Sequence, residues 1–202
     1  MTIIKREWAM PDKNTFSIKP IKQLIERYLN GKWIDPFAND SIFKNQLITN
    51  DINSEYNTDY NLDALEFLKQ FDNNSVDGIL FDPPYSIHQI NEVYDGFGKI
   101  KQFSRYAHEI KRIIKPKGYC ISFGWNTNGM PYEMKINKIK HKTGFKKIKK
   151  EILIVAHGGC HNDTLITVDE KFDLDIKDVV LSDEIISQNE LFERYEKETK
   201  QS

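Results

Sequence analysis

Apolar residues recur along the chain at two spacings, and each spacing predicts a different element. Apolar side chains at every third or fourth position predict amphipathic helices over residues 18–30, 63–71 and 102–114. Short runs rich in apolar residues predict strands over residues 33–37, 46–52, 76–81, 119–125, 145–156 and 164–169. Turn-forming residues separate these segments, for example the two glycines Gly158 and Gly159 between the last two strands.

The order of these elements predicts the fold class. Strands that alternate with helices indicate parallel connections, and the two closing strands predict an antiparallel hairpin at one edge. We therefore expect an α/β fold with a Rossmann-like, doubly wound mixed sheet, which binds ligands at the carboxyl ends of its strands. We expect this domain to span residues 1–170. Residues 171–202 are expected to form a C-terminal appendage with an amphipathic helix that begins at a capping box, Ser187–Glu190.

Composition and charge set limits on the class of protein. The 202 residues, 39% hydrophobic and 29% charged, fit one soluble globular domain. No apolar stretch is long enough to span a bilayer and the N-terminus lacks a signal-peptide core, so we expect a cytoplasmic protein without membrane contact. The net charge is −1, but residues 135–150 hold eight lysines and no acid. This stretch is either a phosphate-facing edge or an ordinary solvated surface.

The tetrapeptide Asp82-Pro83-Pro84-Tyr85 directly follows the predicted strand 76–81, at the edge where such a sheet binds ligands. Its residues suit methylation of an amino group on a planar base, a poor nucleophile because its lone pair is delocalised into the ring. The Asp82 carboxylate and the Pro83 carbonyl could accept the N–H groups of this amine and localise the lone pair. Tyr85 offers a flat face for a base flipped out of a duplex. The alternative is a rigid turn that ends the strand and does nothing more.

The same tetrapeptide resembles the catalytic motif of methyltransferases that modify the N6 amino group of adenine in DNA. Two earlier segments resemble this family in matching order. Residues 15–21 resemble the segment that opens the cofactor pocket, and residues 35–39 resemble the first-strand motif whose turn contacts the methionine part of the cofactor. Residues 123–129 and 157–163 are similar to segments of small phage-type adenine methyltransferases.

The resemblance covers residues 8–169 and implies a cofactor, a partner and a set of site residues. It implies S-adenosylmethionine as methyl donor, no metal, and DNA as the partner, with base flipping. The implied catalytic residues are Asp82, Pro83, Pro84 and Tyr85. The implied cofactor-binding residues are Phe16, Ser17, Asp35, Pro36, Phe37, Asp51 and Asp63.

Three of the cofactor residues have a second interpretation. Asp51 ends the second predicted strand, where a carboxylate accepts ribose hydroxyls, but it could instead cap the turn that follows. Asp63 is placed like the family's acceptor for the adenine amino group of the cofactor, and it could also be a helix N-cap. Phe16, as a lone aromatic, could belong to the core.

The chain departs from the family in the turn after the first strand. This turn commonly contains Gly-x-Gly, which allows the backbone to approach the ligand. Here residues 38–41 are Ala-Asn-Asp-Ser, without glycine. Ala38 is small enough for close approach, and Asn39 tolerates left-handed backbone angles. His157, Cys160 and His161 fall short of a zinc signature, so we expect no metal there.

Two other functions remain open at this stage. One is methylation of adenine in RNA or of the cytosine amino group, which needs the same chemistry, although Asp82 favours adenine. The other is a non-catalytic subunit of a nucleic-acid-modifying complex, which the glycine-free turn favours. The loop 86–101 and the stretch 135–150 are the candidates for DNA contact, and a partner chain could supply target recognition.

Overall fold

The computed structural model describes residues 2–84, 99–124, 129–130, 143–146, 149–158 and 163–173. Several predictions lie outside these residues and stay predictions. They concern Tyr85, most of the loop 86–101, residues 125–128, most of the lysine-rich stretch, Cys160, His161 and the C-terminal helix.

Within the described residues, eight strands form one mixed sheet. They are β1 (Ile3–Trp8), β2 (Trp33–Asp35), β3 (Ile48–Thr49), β4 (Val76–Phe81), β5 (Ile114–Gly124), β6 (Thr143–Phe145), β7 (Glu151–Ala156) and β8 (Thr164–Asp173). Their order across the sheet is β1-β7-β8-β5-β4-β2-β3, and β6 also pairs with β8. Strand β8 is antiparallel to β5, β6 and β7, whereas the remaining pairs are parallel. The predicted α/β class and doubly wound mixed sheet are confirmed.

Helices cover both faces of this sheet. A short 3-10 helix (Thr15–Ser17) leads into α1 (Lys19–Tyr28), which buries Ile21, Leu24 and Ile25 against one face. The other face is covered by α2 (Ala64–Lys69) and α3 (Lys99–Ile113), which belong to a second apolar cluster. Among the helices of the described ranges, none is both long and apolar enough to cross a membrane.

Strands β2 and β4 are neighbours in the sheet, and the Trp33 ring covers Gly78. They pair in parallel, with Trp33 opposite Gly78 and Ile34 opposite Ile79. A Cβ atom at Gly78 would lie 2.3 Å from the Trp33 ring, so only glycine fits at this crossing. The pairing brings the carboxyl ends of β2 and β4, and therefore Asp35 and Asp82, to the same edge.

Strand β1 was not predicted and forms the outermost strand beside β7. It pairs in parallel with β7 from Ile3 opposite Glu151 to Trp8 opposite Ala156. All six of its side chains are exposed, so the sequence shows no buried face that would identify a strand. The antiparallel pair of β7 and β8 was predicted at the edge of the sheet, and it lies one strand in from that edge because β1 pairs outside β7.

Two strands are longer than the sequence predicted. Strand β5 begins at Ile114 and passes through residues 115–118, which were expected to be a turn, and its pairing with β4 shifts register between Val76 and Gly78. Strand β8 continues to Asp173 and pairs there with β6. Residues 171–173, expected in the appendage, are therefore part of the sheet.

Candidate functional site

The carboxyl end of β4 leads directly into Asp82, Pro83 and Pro84. Pro83 is buried, whereas Asp82 and Pro84 are partly exposed. Burial raises the pKa of the Asp82 carboxyl to about 6, and a hydrogen bond from the Thr15 hydroxyl opposes this rise. A carboxyl group with this pKa is mostly ionised at neutral pH, so Asp82 can accept hydrogen bonds there.

Asp35 ends the neighbouring strand β2 and is fully buried. Its Oδ1 accepts the N–H of Phe37 at 3.0 Å. Its Oδ2 is buried and has no hydrogen-bond partner in the part of the chain that the structure describes. Burial raises the pKa of the Asp35 carboxyl to about 8, and the nearby charges of Asp82 and Asp51 add to the rise. Asp35 thus offers a buried oxygen to a donor or cation from outside these residues.

The turn after β2 is closed by Asp51. Asn39 has a φ of 47°, in the left-handed region, and its N–H donates to Asp51 Oδ2 at 2.9 Å. Asp51 Oδ1 accepts the N–H of Asn53 at 2.9 Å. The left-handed Asn39 and the capping interpretation of Asp51 are therefore confirmed. The ribose-binding role of Asp51 stays a prediction.

Asp63 caps helix α2. Its Oδ1 accepts the N–H groups of Leu65 at 2.9 Å and Glu66 at 3.4 Å. The predicted N-cap is therefore confirmed, and both capping bonds end on the same oxygen. Burial and the neighbouring Asp63 charge raise the pKa of the Tyr106 hydroxyl to about 12, which identifies Tyr106 on α3 as a neighbour of this carboxylate.

Three aromatic rings join these elements. Phe37 contacts Phe81 with ring centroids 5.9 Å apart, and both contact Tyr106, at 5.8 Å and 6.0 Å respectively. Phe37 follows β2, Phe81 precedes Asp82 and Tyr106 lies on α3. The rings therefore form one apolar wall between the two strand ends and the helix. The sequence pattern placed Tyr106 on the buried stripe of its helix but gave no sign of this contact.

The segment before α1 contains one residue of the core and one residue that contacts Asp82. Phe16 is buried against Phe123 and Phe43, with ring centroids 5.0 Å and 6.3 Å away, so the structure places it in the core. Ser17 is partly exposed in the short 3-10 helix, and Thr15 reaches Asp82. Part of the segment 15–21 therefore lies against the end of β4, and its role at a cofactor pocket stays a prediction.

Pro36 contributes a backbone group rather than its ring. It is buried, and its carbonyl accepts a hydrogen bond from Asn50 Nδ2 at 3.1 Å. Sequence reasoning missed Asn50, which is fully buried at the end of β3. An asparagine before an aspartate resembles an ordinary turn, so only its burial in the folded chain distinguishes it.

Among the described residues, no group of three or more histidine, cysteine, aspartate or glutamate side chains could hold a metal ion. His157 Nδ1 lies 3.0 Å from the carbonyl oxygen of Ala9, and its Nε2 lies 2.8 Å from the Thr164 hydroxyl. Both ring nitrogens therefore contact protein atoms and link the end of β7 to the start of β8 and to the segment after β1.

No protein-family model and no curated protein matches the sequence. Solved structures do match the fold. The N-methyltransferase NodS from Bradyrhizobium japonicum superposes with a TM-score of 0.50 at 11% identity, over 81% of this chain and 100% of NodS. An rRNA methylase from Streptococcus thermophilus gives 0.45 at 9% identity, over 73% of this chain and 92% of the methylase.

A SAM-dependent methyltransferase from Archaeoglobus fulgidus gives a TM-score of 0.41 at 14% identity, over 54% of this chain and 51% of that protein. This chain thus spans about half the length of the Archaeoglobus protein. The likeness to NodS agrees with the sheet order and with the antiparallel β8 between β5 and β7. The chain therefore has the Rossmann-like, doubly wound fold of methyltransferases.

Proposed function

We propose that this chain transfers a methyl group from S-adenosylmethionine to the N6 amino group of adenine in DNA. The observation that carries the proposal is the position of Asp82-Pro83-Pro84 at the carboxyl end of β4, near Asp35, whose buried Oδ2 has no partner among the residues that the structure describes. An acceptor for an amine and an acceptor for a cationic ligand thus share one edge of the sheet. Ligands of doubly wound sheets bind at this edge.

The residues at this edge fit S-adenosylmethionine, whose sulfonium and ammonium groups are positively charged. Asp35 Oδ2 is buried and has no partner among the residues described. A pKa of about 8 keeps this carboxyl mostly protonated at neutral pH without a ligand, and a positively charged group beside it would favour the ionised acceptor. Asp35 and Phe37 would hold the methionine half, Asp51 the ribose and Asp63 the adenine amino group. When bound, S-adenosylmethionine supplies an electrophilic methyl group.

Asp82 and Pro83 would act on the amine. The ionised Asp82 carboxylate accepts one N–H and the Pro83 carbonyl accepts the other, which favours a pyramidal nitrogen with a localised lone pair. The nitrogen loses a proton as it forms its bond to carbon, and the Asp82 carboxylate, with a pKa of about 6, can receive that proton. The rest of the contribution is alignment of the two reacting groups.

The choice of adenine in DNA depends on the resemblance of residues 82–85 to the adenine-specific motif, and on the aspartate at its first position. The same geometry would serve an adenine in RNA or the cytosine amino group. Product identity therefore has to be part of the test.

The test is transfer of tritiated methyl groups to duplex DNA, single-stranded DNA and RNA, followed by nucleoside analysis. We expect N6-methyladenine in DNA with the wild-type protein. Asp82→Ala should lower the rate by at least about two orders of magnitude, as expected when one transition-state acceptor is lost.

Asp77→Asn is the matched control for Asp82→Ala. Asp77 also lies on β4, but at its opposite end, where it pairs with Lys115 at 2.9 Å. We expect its activity to stay within about twofold of wild type. Label found only in RNA or in cytosine would contradict the proposed substrate, and full activity of Asp82→Ala would contradict the proposed site.

A further inference from the structure

Asn50 makes three side-chain hydrogen bonds to the loops of the predicted cofactor pocket. Its side chain is fully buried. Nδ2 donates to the Pro36 carbonyl at 3.1 Å and to the Leu62 carbonyl at 3.0 Å, and Oδ1 accepts the Leu62 N–H at 2.9 Å. One amide group thus bonds to two separate loops.

The backbone of Asn50 also bonds to the turn after β2. Its N–H donates to the Asp35 carbonyl at 2.9 Å, and its carbonyl accepts the N–H of Ala38 at 2.9 Å. The residue therefore holds both sides of Pro36 through its main chain and Pro36 itself through its side chain. These bonds fix the turn after β2 relative to the end of β3.

The two loops that Asn50 joins belong to different parts of the proposed pocket. Pro36 lies between Asp35 and Phe37, which would hold the methionine half of S-adenosylmethionine. Leu62 directly precedes Asp63, which would hold the adenine half. The separation of these halves in the protein must match the ligand, and the Asn50 amide links the two loops that set this separation.

Only an amide of this length satisfies the site. The two carbonyl oxygens of Pro36 and Leu62 need donors, and the Leu62 N–H needs an acceptor. Aspartate would place a carboxylate against two carbonyl oxygens. Alanine would leave three buried backbone groups without their partner.

We propose that Asn50 is a positioning residue that sets the separation between the methionine and adenine halves of the S-adenosylmethionine pocket. This inference rests on the proposed function. Asn50 touches no part of the ligand in this arrangement and acts through the loops that carry Asp35 and Asp63.

Calorimetry with two ligands tests the proposal, because only one of them spans both halves. In Asn50→Ala, the Kd for S-adenosylmethionine should rise by at least about tenfold, whereas the Kd for adenosine should rise by no more than about threefold. In methyl transfer, the KM for S-adenosylmethionine should rise with little change in kcat at saturation. Asn50→Ser, which keeps one short donor, should give an intermediate Kd and serves if Asn50→Ala fails to fold.

Lys171→Met is the matched control for lost stability. Lys171 is equally buried and bonds to Asn74 Oδ1 at 2.7 Å and to the Ile114 carbonyl, at the opposite edge of the sheet. It should lower the unfolding temperature but leave both Kd values within about twofold of wild type.

Three results would overturn the inference. They are an unchanged Kd for S-adenosylmethionine in the Asn50 variants, an equal loss for adenosine, and an equal loss in Lys171→Met. If the wild-type protein binds neither ligand, it is the proposed function that fails. If the wild type binds and methylates but the variants behave like it, only the positioning role fails.

Discussion

Asp35 is the most unusual residue of the site, because it combines complete burial with a carboxyl oxygen that lacks a partner among the described residues. Burial is the main reason why its pKa rises from 3.8 to about 8. The folded protein therefore holds a proton that the unfolded chain releases from about pH 4 upwards. The stability contributed by this protonation is complete below the unfolded pKa and is lost as pH rises to about 8.

Asparagine cannot take up this proton, so Asp35→Asn removes its contribution to the pH dependence of stability. We expect the free energy of unfolding of the variant, relative to wild type, to increase by at least about 2 kcal/mol between pH 4 and pH 8 and to level off above that. Chemical denaturation at a series of pH values measures the difference. A difference that stays constant with pH would show that Asp35 is already ionised in the folded protein.

Some site residues could be predicted from the sequence because their role is local. Asp63 precedes an apolar helical pattern, and the N-cap preference of aspartate predicted its bonds. Asn39 tolerates left-handed angles, which is a property of the residue itself. The contacts of Asn50 and the burial of Asp35 depend on loops that meet only in the folded chain, and neither could be inferred from neighbouring residues.

At the scale of elements, the turn after β2 shows how the chain builds a close backbone approach without glycine. Asn39 adopts the left-handed conformation, its Oδ1 accepts the N–H of Asp40 at 2.7 Å, and its N–H is held by Asp51. Ala38 supplies the small, buried neighbour. The turn can therefore replace a glycine turn, but only with a residue at position 39 that tolerates left-handed backbone angles.

The effect of a substitution at Asn39 should depend on whether the new residue tolerates a positive φ, and not on its polarity. Asn39→Gly fits the positive φ, so its Kd for S-adenosylmethionine should stay within about twofold of wild type. Asn39→Val forces a β-branched residue into this region at a cost of about 1–3 kcal/mol, and its Kd should rise by about tenfold. Calorimetry and thermal unfolding of the two variants measure both effects. Equal behaviour of the two variants would contradict a role for the left-handed angle.

The elements that could be predicted are those with one strong local signal. Strand β4 agrees with its predicted bounds because the apolar residues Val76 and 79–81 are followed, after Asp82, by two prolines. Strand β1 has no such signal, since its stability depends on pairing with β7, about 150 residues later in the chain. The bounds of β5 differ for a related reason: Ile114 already pairs with Val76, and the register shift that follows leaves residues 115–118 out of the pairing with β4.

At the scale of the molecule, stability and the proposed chemistry belong to opposite edges of the sheet. At the edge away from the site, Glu151 accepts bonds from Arg27 at 2.7 Å and from the Tyr28 hydroxyl at 3.0 Å, and it lies 3.8 Å from Lys5. It therefore ties β7 to α1 and β1. Burial, together with this bond, raises the pKa of the Tyr28 hydroxyl.

Glu151→Ala should lower stability and leave the binding of S-adenosylmethionine unchanged. It removes the buried acceptor of the partly buried Tyr28 hydroxyl and of the largely exposed Arg27 and Lys5, and should lower the free energy of unfolding by about 1 kcal/mol. The Kd for S-adenosylmethionine should stay within about twofold of wild type, because no predicted site residue contacts Glu151. Thermal unfolding and calorimetry on the same sample test both statements. A large rise in Kd would show that the two edges are coupled.

The outermost strand β1 has a practical consequence for handling the protein. Ala9, just after β1, donates its N–H to the Ala156 carbonyl at 3.0 Å, and its own carbonyl is held by His157. Six residues later, Thr15 bonds to the Asp82 carboxylate. A carrier protein or solid support attached ahead of Ile3 would therefore pull first on the pairing of β1 with β7 and on the bonds of Ala9, which lie between the attachment point and Thr15.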